Sequence, residues 1–201
     1  MSAFRIASAF SRVAALCALV AGSGCAAIPS PDAPREYLDE STAATIAAVG
    51  RPLVFARERP NFAVHMRDYI TLAAASVDRS GRIEYVLIAY FWSTFDPHAQ
   101  EGDVATRQPD GLAIQADDRR INLVKLTRSA HDAGIEERAH APRVGSGPPI
   151  LYHTDPATLR YIAASRTLSA LTRKGDTEVG YEIWEDRRAA LAAWVRHLDA
   201  D

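Results

Sequence analysis

The chain has almost no cysteine: two in 201 residues, Cys17 and Cys25, both near its start. A disulfide framework, a thiolate metal site and a thiol nucleophile are thereby excluded from everything downstream, and a metal there would need imidazole and carboxylate ligands. There is also no Gly-x-x-x-x-Gly-Lys phosphate loop, no dinucleotide-binding glycine fingerprint and no His-Glu-x-x-His pair, which disfavours the common cofactor enzymes; the expected cofactor is none. Charge of one sign is lacking as well. The formal net charge is −2, so nucleic acid is not an expected partner. Lysine is nearly absent, with Lys125 and Lys174 alone among 23 basic residues. Together with abundant alanine, this reflects the base composition of a coding gene and carries no functional conclusion. No internal repeat of fixed period is visible.

What is there begins with an export signal. Arg5 and Arg12 precede the apolar run Val13–Ala21, which is too short to span a bilayer comfortably. The run ends in Ala21-Gly22-Ser23-Gly24-Cys25-Ala26, which resembles the lipobox of bacterial lipoproteins, with Gly22 where that family usually has Leu. The resemblance implies that Cys25 is lipidated and becomes the mature N-terminus, holding the protein on a membrane without a transmembrane helix. It also implies the outer membrane, because Ala26 stands where Asp usually marks inner-membrane retention. Ordinary secretory cleavage is the alternative, since Gly22 and Gly24 fit the small-x-small rule. Loss of Arg5 and Arg12 takes the formal charge to about −4, still weakly biased for a domain of this size. Pro29, Pro31 and Pro34 favour an extended, solvated tether. The expected division is residues 1–24 as signal, 25–36 as tether and 37–201 as one globular domain. Beyond the signal, the chain resembles proteobacterial lipoproteins of no assigned activity.

The fold is read as α+β or mainly β, organised around Asp68–Phe95. Tyr69–Val77 and Ile83–Ser93 flank Asp78-Arg-Ser-Gly81, a β-hairpin signature. In the second run Tyr85, Leu87, Ala89 and Phe91 share one face while Val86, Ile88, Tyr90 and Trp92 share the other. Neither face is polar, so the strand should be buried on both sides and central to the sheet. Ala73, Ala74 and Ala75 opposite leave room for bulky neighbours or a close second layer. Further hairpins are expected from Thr42–Val49 with Leu53–Arg57, from Gly111–Ala116 with Ile121–Lys125, and from Thr167–Thr172 with Glu178–Trp184. Asp155 before Pro156 predicts a short capped helix. Leu191, Trp194, Val195 and Leu198 predict an amphipathic C-terminal helix packed on the sheet. The hairpins imply an antiparallel sheet, with a β-sandwich and a single curved sheet both open.

Candidate chemistry is sparse. Asp96, His98, Glu101 and Asp103 follow the central strand, and Asp96, His98 and Asp103 are the metal candidates, set against an ordinary solvated loop. His65 and Asp68 can be written as base and orienter or as a surface polar pair. The long segment Arg128–Pro149 carries His131, Asp132 and His140, with Ser129 and Ser146 nearby and His153 just beyond. A Ser-His-Asp set can be drawn there, but neither serine lies in a Gly-x-Ser-x-Gly elbow. Trp92, Phe95 and His153 are the binding candidates. No catalytic residue is assigned. The reading is an exported, lipid-anchored envelope protein, a non-enzymatic binding or accessory module with an envelope protein as partner. The alternative is a periplasmic enzyme or metal-binding protein using the loop after the central strand.

Overall fold

The computed structural model describes residues 30–59, 66–94, 108–135, 140–142 and 146–198. Residues Pro31–Asp201 form one compact unit, distinct from Met1–Ser30. The centre of this unit is the expected hairpin, longer than the apolar runs alone suggest. Strand β4 (Met66–Arg79) pairs antiparallel with β5 (Arg82–Ser93) over twelve residue pairs, from Asp68↔Ser93 to Arg79↔Arg82. Ser80 and Gly81 connect them with φ of 55° and 81°, the left-handed pair that a two-residue hairpin turn needs. The Gly81 N–H donates to Asp78 Oδ1 at 2.8 Å.

The length of β4 sets the rest of the topology. Along its other edge, β2 (Ala44–Ala48) pairs with its second half and β3 (Leu53–Arg59) with its first. Thr42–Val49 and Leu53–Arg57 therefore do not form a hairpin with each other, as the Gly50-Arg-Pro52 turn suggests; each takes its own stretch of β4. Strand β2 instead pairs with β1 (Arg35–Asp39), which starts at the end of the segment read as a tether.

The hairpins β6 (Gly111–Ala116) with β7 (Arg119–Lys125), and β9 (Leu168–Lys174) with β10 (Thr177–Glu185), form where expected. They then join edge to edge. Strand β10 pairs with β3, β9 with β6, β7 with β8 (Ile150–Thr154), and β8 with β5. The circuit β3-β4-β5-β8-β7-β6-β9-β10 closes on itself, all antiparallel. It is an eight-stranded barrel rather than a sandwich. The reason is that β10 and β8 supply the edges that β3 and β5 lack, and closure leaves no open edge in that circuit.

Register assigns every side chain to the inside or the outside. Leu53, Phe55, Ile70, Leu72, Ala74, Leu87, Ala89, Ile150, Tyr152, Leu112, Ile114 and Ala170 point inward and are buried. Eight strands enclose a space just wide enough for side chains to fill. A gap between the inner wall and the helices has about 10 Å³ of room, enough for roughly one water. Outward on β6, β7, β9 and β10 are Gln115, Arg120, Asn122, Arg173, Glu178 and Glu182, five of them exposed and only Gln115 partly buried. An apolar inside and a polar outside invert the arrangement of a membrane-spanning barrel. Among the described residues no helix is long and apolar enough to cross a membrane.

Outward on β4 and β5, by contrast, Ala73, Ala75, Val77, Val86, Ile88 and Tyr90 are buried, as the two-faced apolar pattern requires. The segment after β7 lies over this wall. Arg128 bonds Glu84, the Asp132 carbonyl accepts from Arg79 Nη2 at 3.1 Å, and Ala130, Ala133 and Ile135 are buried. The described part of Arg128–Pro149 is thus a cover, and the small alanines of β4 let it approach.

Two helices close one end of the barrel. In α1 (Pro156–Ala164), Asp155 accepts from Thr158 N at 2.8 Å with Pro156 in the first turn, the expected cap. In α2 (Arg188–Leu198), Ala190, Leu191, Trp194 and Val195 are buried. Ile162 and Leu191 meet Leu53, Leu72, Ala74 and Leu87 at the inner wall, and Trp194 Nε1 donates to the Ala47 carbonyl at 3.2 Å. The apolar stripe of α2 is therefore packed on the sheet at one end of the barrel, with Trp194 bonded to β2. The chain also enters at this end. The backbone of Pro31–Ala33 crosses so close to Gly50 that a Cβ there has no room.

Candidate functional site

At the opposite end of β3 the inward positions change character. After Leu53 and Phe55, the same face of β3 carries Arg57 and Arg59, and the partner position on β4 is Asp68. Asp68 is 8% exposed. Its Oδ2 accepts from Arg57 Nε at 3.0 Å, Arg57 Nη2 at 2.9 Å and Arg59 Nε at 2.7 Å. The Arg57 guanidinium lies 5.4 Å from the centroid of the Tyr181 ring, within cation–π range. Burial pushes the Tyr181 phenol's pKa up, with Asp68 adding to the rise and Arg57, Thr172 and Arg59 opposing it. The mouth of the barrel is therefore a polar lid over an apolar interior.

A second feature stands on the outer wall beside β3. Tyr69 and Trp92, a cross-strand pair, stack at 4.1 Å and 9°. Trp92 Nε1 donates to Thr71 Oγ1 at 3.0 Å. Val54, Ala56 and Tyr69 form a small buried cluster with Trp92 against it. The β10–β3 register slips between Ile183 and Glu185, and the residue in that bulge is Trp184. Its ring meets Tyr69 edge-on at 6.2 Å and lies under the Arg67 guanidinium at 4.6 Å. Arg67 is held in turn by Glu58 Oε1 at 2.8 Å. Bulges of this kind re-aim side chains, and here the result is a tryptophan left 53% exposed.

Among the described residues, those singled out in the sequence stand apart from one another. Trp92 belongs to the outer cluster. Asp68 is bound by two arginines; His65, its partner in the sequence reading, lies outside the described residues. Cys25, Phe95, Asp96, His98, Glu101 and Asp103 lie outside them too. Among the described residues no three His, Cys, Asp or Glu side chains gather as a metal site. His153 is exposed on the outside of β8, opposite Val86 and Val124. The Ser-His-Asp set does not assemble from Ser129. That hydroxyl donates to Asp132 Oδ2 at 2.8 Å and accepts from the Asp132 N–H at 3.1 Å, a local brace for the 3-10 turn His131–Ala133. His140 lies elsewhere, half-buried near Arg35 and the Val49 backbone, with its pKa lowered to about 4 chiefly by burial and then by the Arg35 charge.

Sequence reasoning passed over Arg57, Arg59, Tyr181, Arg67 and Trp184. A signal existed for the first pair: in Leu53-Val-Phe-Ala-Arg-Glu-Arg59 the strand period puts both arginines on the face of Leu53 and Phe55. Trp184 gave none, because its direction depends on a bulge. Comparison with models of protein families, with curated proteins and with solved structures finds no match.

Proposed function

We propose that the protein is a lipid-anchored envelope module that binds another envelope protein through the outer cluster of Tyr69, Trp92, Trp184 and Arg67. The observation that carries this reading is Trp184, half exposed at a β-bulge and flanked by a stacked Tyr–Trp pair and a fixed arginine. Tryptophan, tyrosine and arginine dominate the energetics of protein interfaces, and they do so where small apolar neighbours exclude water; Val54 and Ala56 provide that setting here. The barrel interior supports the same reading from the other side, because a space filled by its own side chains has no room for a carried ligand. The anchor reading rests on Cys25 and the run before it.

A photo-crosslinking amino acid at position 184 of the full exported chain tests both parts. The expected result is one defined adduct in the membrane fraction, lost when Arg67→Ala and Trp92→Ala are added, with no adduct from the same crosslinker at Asn122 on the polar wall. The intact mass of the purified protein should carry an acyl increment that Cys25→Ser removes. Equal adducts from both positions would sink the binding surface; an unmodified, soluble wild type would sink the anchor.

A further inference from the structure

The mouth of the barrel supports an inference that goes beyond this reading and does not depend on it. The geometry points to an oxyanion site at Arg57 and Arg59, suited to a phosphate group. Two guanidiniums share one carboxylate oxygen, which among the described residues leaves one positive charge of the pair uncompensated. Among the described carboxylates, the two on the flanking strand positions turn away from it. Glu58 and Glu182 occupy outward positions on their strands, and Glu58 faces Arg67 there.

The donors are also oriented in advance. Asp68 takes three N–H groups, and the Tyr181 ring supports the plane of Arg57. The remaining guanidinium N–H groups of both arginines have no protein acceptor among the described residues. Side-chain exposures of 31% for Arg57 and 41% for Arg59 leave them open to solution while their inner edges are fixed. Planar guanidiniums held this way match the oxygens of phosphate in bidentate fashion.

The test uses the full chain with Cys25→Ser, so that any vesicle association is independent of an acyl anchor. Thermal midpoints are compared in inorganic phosphate and in sodium chloride at matched ionic strength, for the parent and for Asp68→Asn and Arg59→Gln. The site requires phosphate to raise the parent's midpoint above the chloride control. Asp68→Asn should melt lower in chloride and recover in phosphate, with severalfold tighter phosphate binding, because removing the carboxylate doubles the uncompensated charge. Arg59→Gln should lose the phosphate response. Flotation with vesicles of phosphatidylcholine containing phosphatidic acid separates the sources: a phosphate response without vesicle binding indicates a soluble compound, and both together indicate a lipid phosphate. Equal midpoints in phosphate and chloride for all three proteins, with no flotation, would overturn the site. Side-chain Nε–H resonances of Arg57 and Arg59 in the parent give a second readout that needs no variant, and phosphate must shift them while chloride does not.

Discussion

The two ends of this barrel are closed by opposite chemistry. At the end where the chain enters, Ile162 and Leu191 from two helices face Leu53, Leu72 and Leu87, and Trp194 is fully buried with its Nε1 on the Ala47 carbonyl. At the mouth, closure falls to Arg57, Arg59, Asp68 and Tyr181. Burying a large apolar side chain contributes about 1.5–3 kcal/mol. A buried ion pair, by contrast, gives back much of its attraction in desolvation and is often no more stabilising than an apolar replacement of similar size. The helix end is therefore where the fold draws its stability, and the mouth is a place where stability was available and was not taken. That is why the mouth invites a functional explanation and the helix end does not.

The comparison can be broken most directly by emptying the helix end. Trp194→Ala removes the largest fully buried side chain and its bond to the Ala47 carbonyl, and urea denaturation should show a loss of about 3–5 kcal/mol. At the mouth, Asp68→Ala leaves two guanidiniums without their shared acceptor. Both are partly solvated, so the expected loss is smaller, about 1–3 kcal/mol. A loss equal to that of Trp194→Ala would remove the distinction between the ends.

A half-buried histidine beside Arg35 and the Val49 backbone supplies a pH-dependent effect. His140 is held below its ordinary value of 6.5, at about 4. The unfolded chain therefore binds a proton that the folded one refuses between those values. This contribution to stability is complete above pH 6.5, is lost as pH falls towards 4, and should be absent from the slope of His140→Gln measured across that window. Smallest is the effect inside the barrel wall. Tyr152 is 1% exposed, and its hydroxyl has no partner among the described residues. Tyr152→Phe should leave stability unchanged or raise it by up to about 1 kcal/mol in thermal melts.

Local patterns carry most of the elements. The β4–β5, β6–β7 and β9–β10 hairpins, the Asp155 cap and the Leu191–Trp194–Val195 stripe all follow from residues within a few positions of one another, where turn chemistry and periodicity act. Closure is not legible, because β3 with β10 and β5 with β8 meet across long stretches of sequence and nothing in either strand names its partner. The two-faced apolar pattern of β5 correctly implies burial on both sides, yet it fits a central strand of a sandwich as well as a barrel wall under a cover. Of the sites, Trp92 and Asp68 stand out in the sequence, but the neighbours that the register gives them do not. Their real partners, Tyr69 and Trp184 for one and Arg57 and Arg59 for the other, are fixed by register and by a bulge.

The measurement that tests the account most directly is the unfolding free energy of the triple variant Arg57→Met, Arg59→Met and Asp68→Leu, set beside wild type and Trp194→Ala under the same conditions. If the mouth is ionic for a reason other than stability, the triple variant unfolds at the same free energy as wild type or higher, since apolar groups of similar size replace a costly ion cluster, while Trp194→Ala falls well below both. A triple variant that falls as far as Trp194→Ala would contradict the account and make the ion cluster a structural seal.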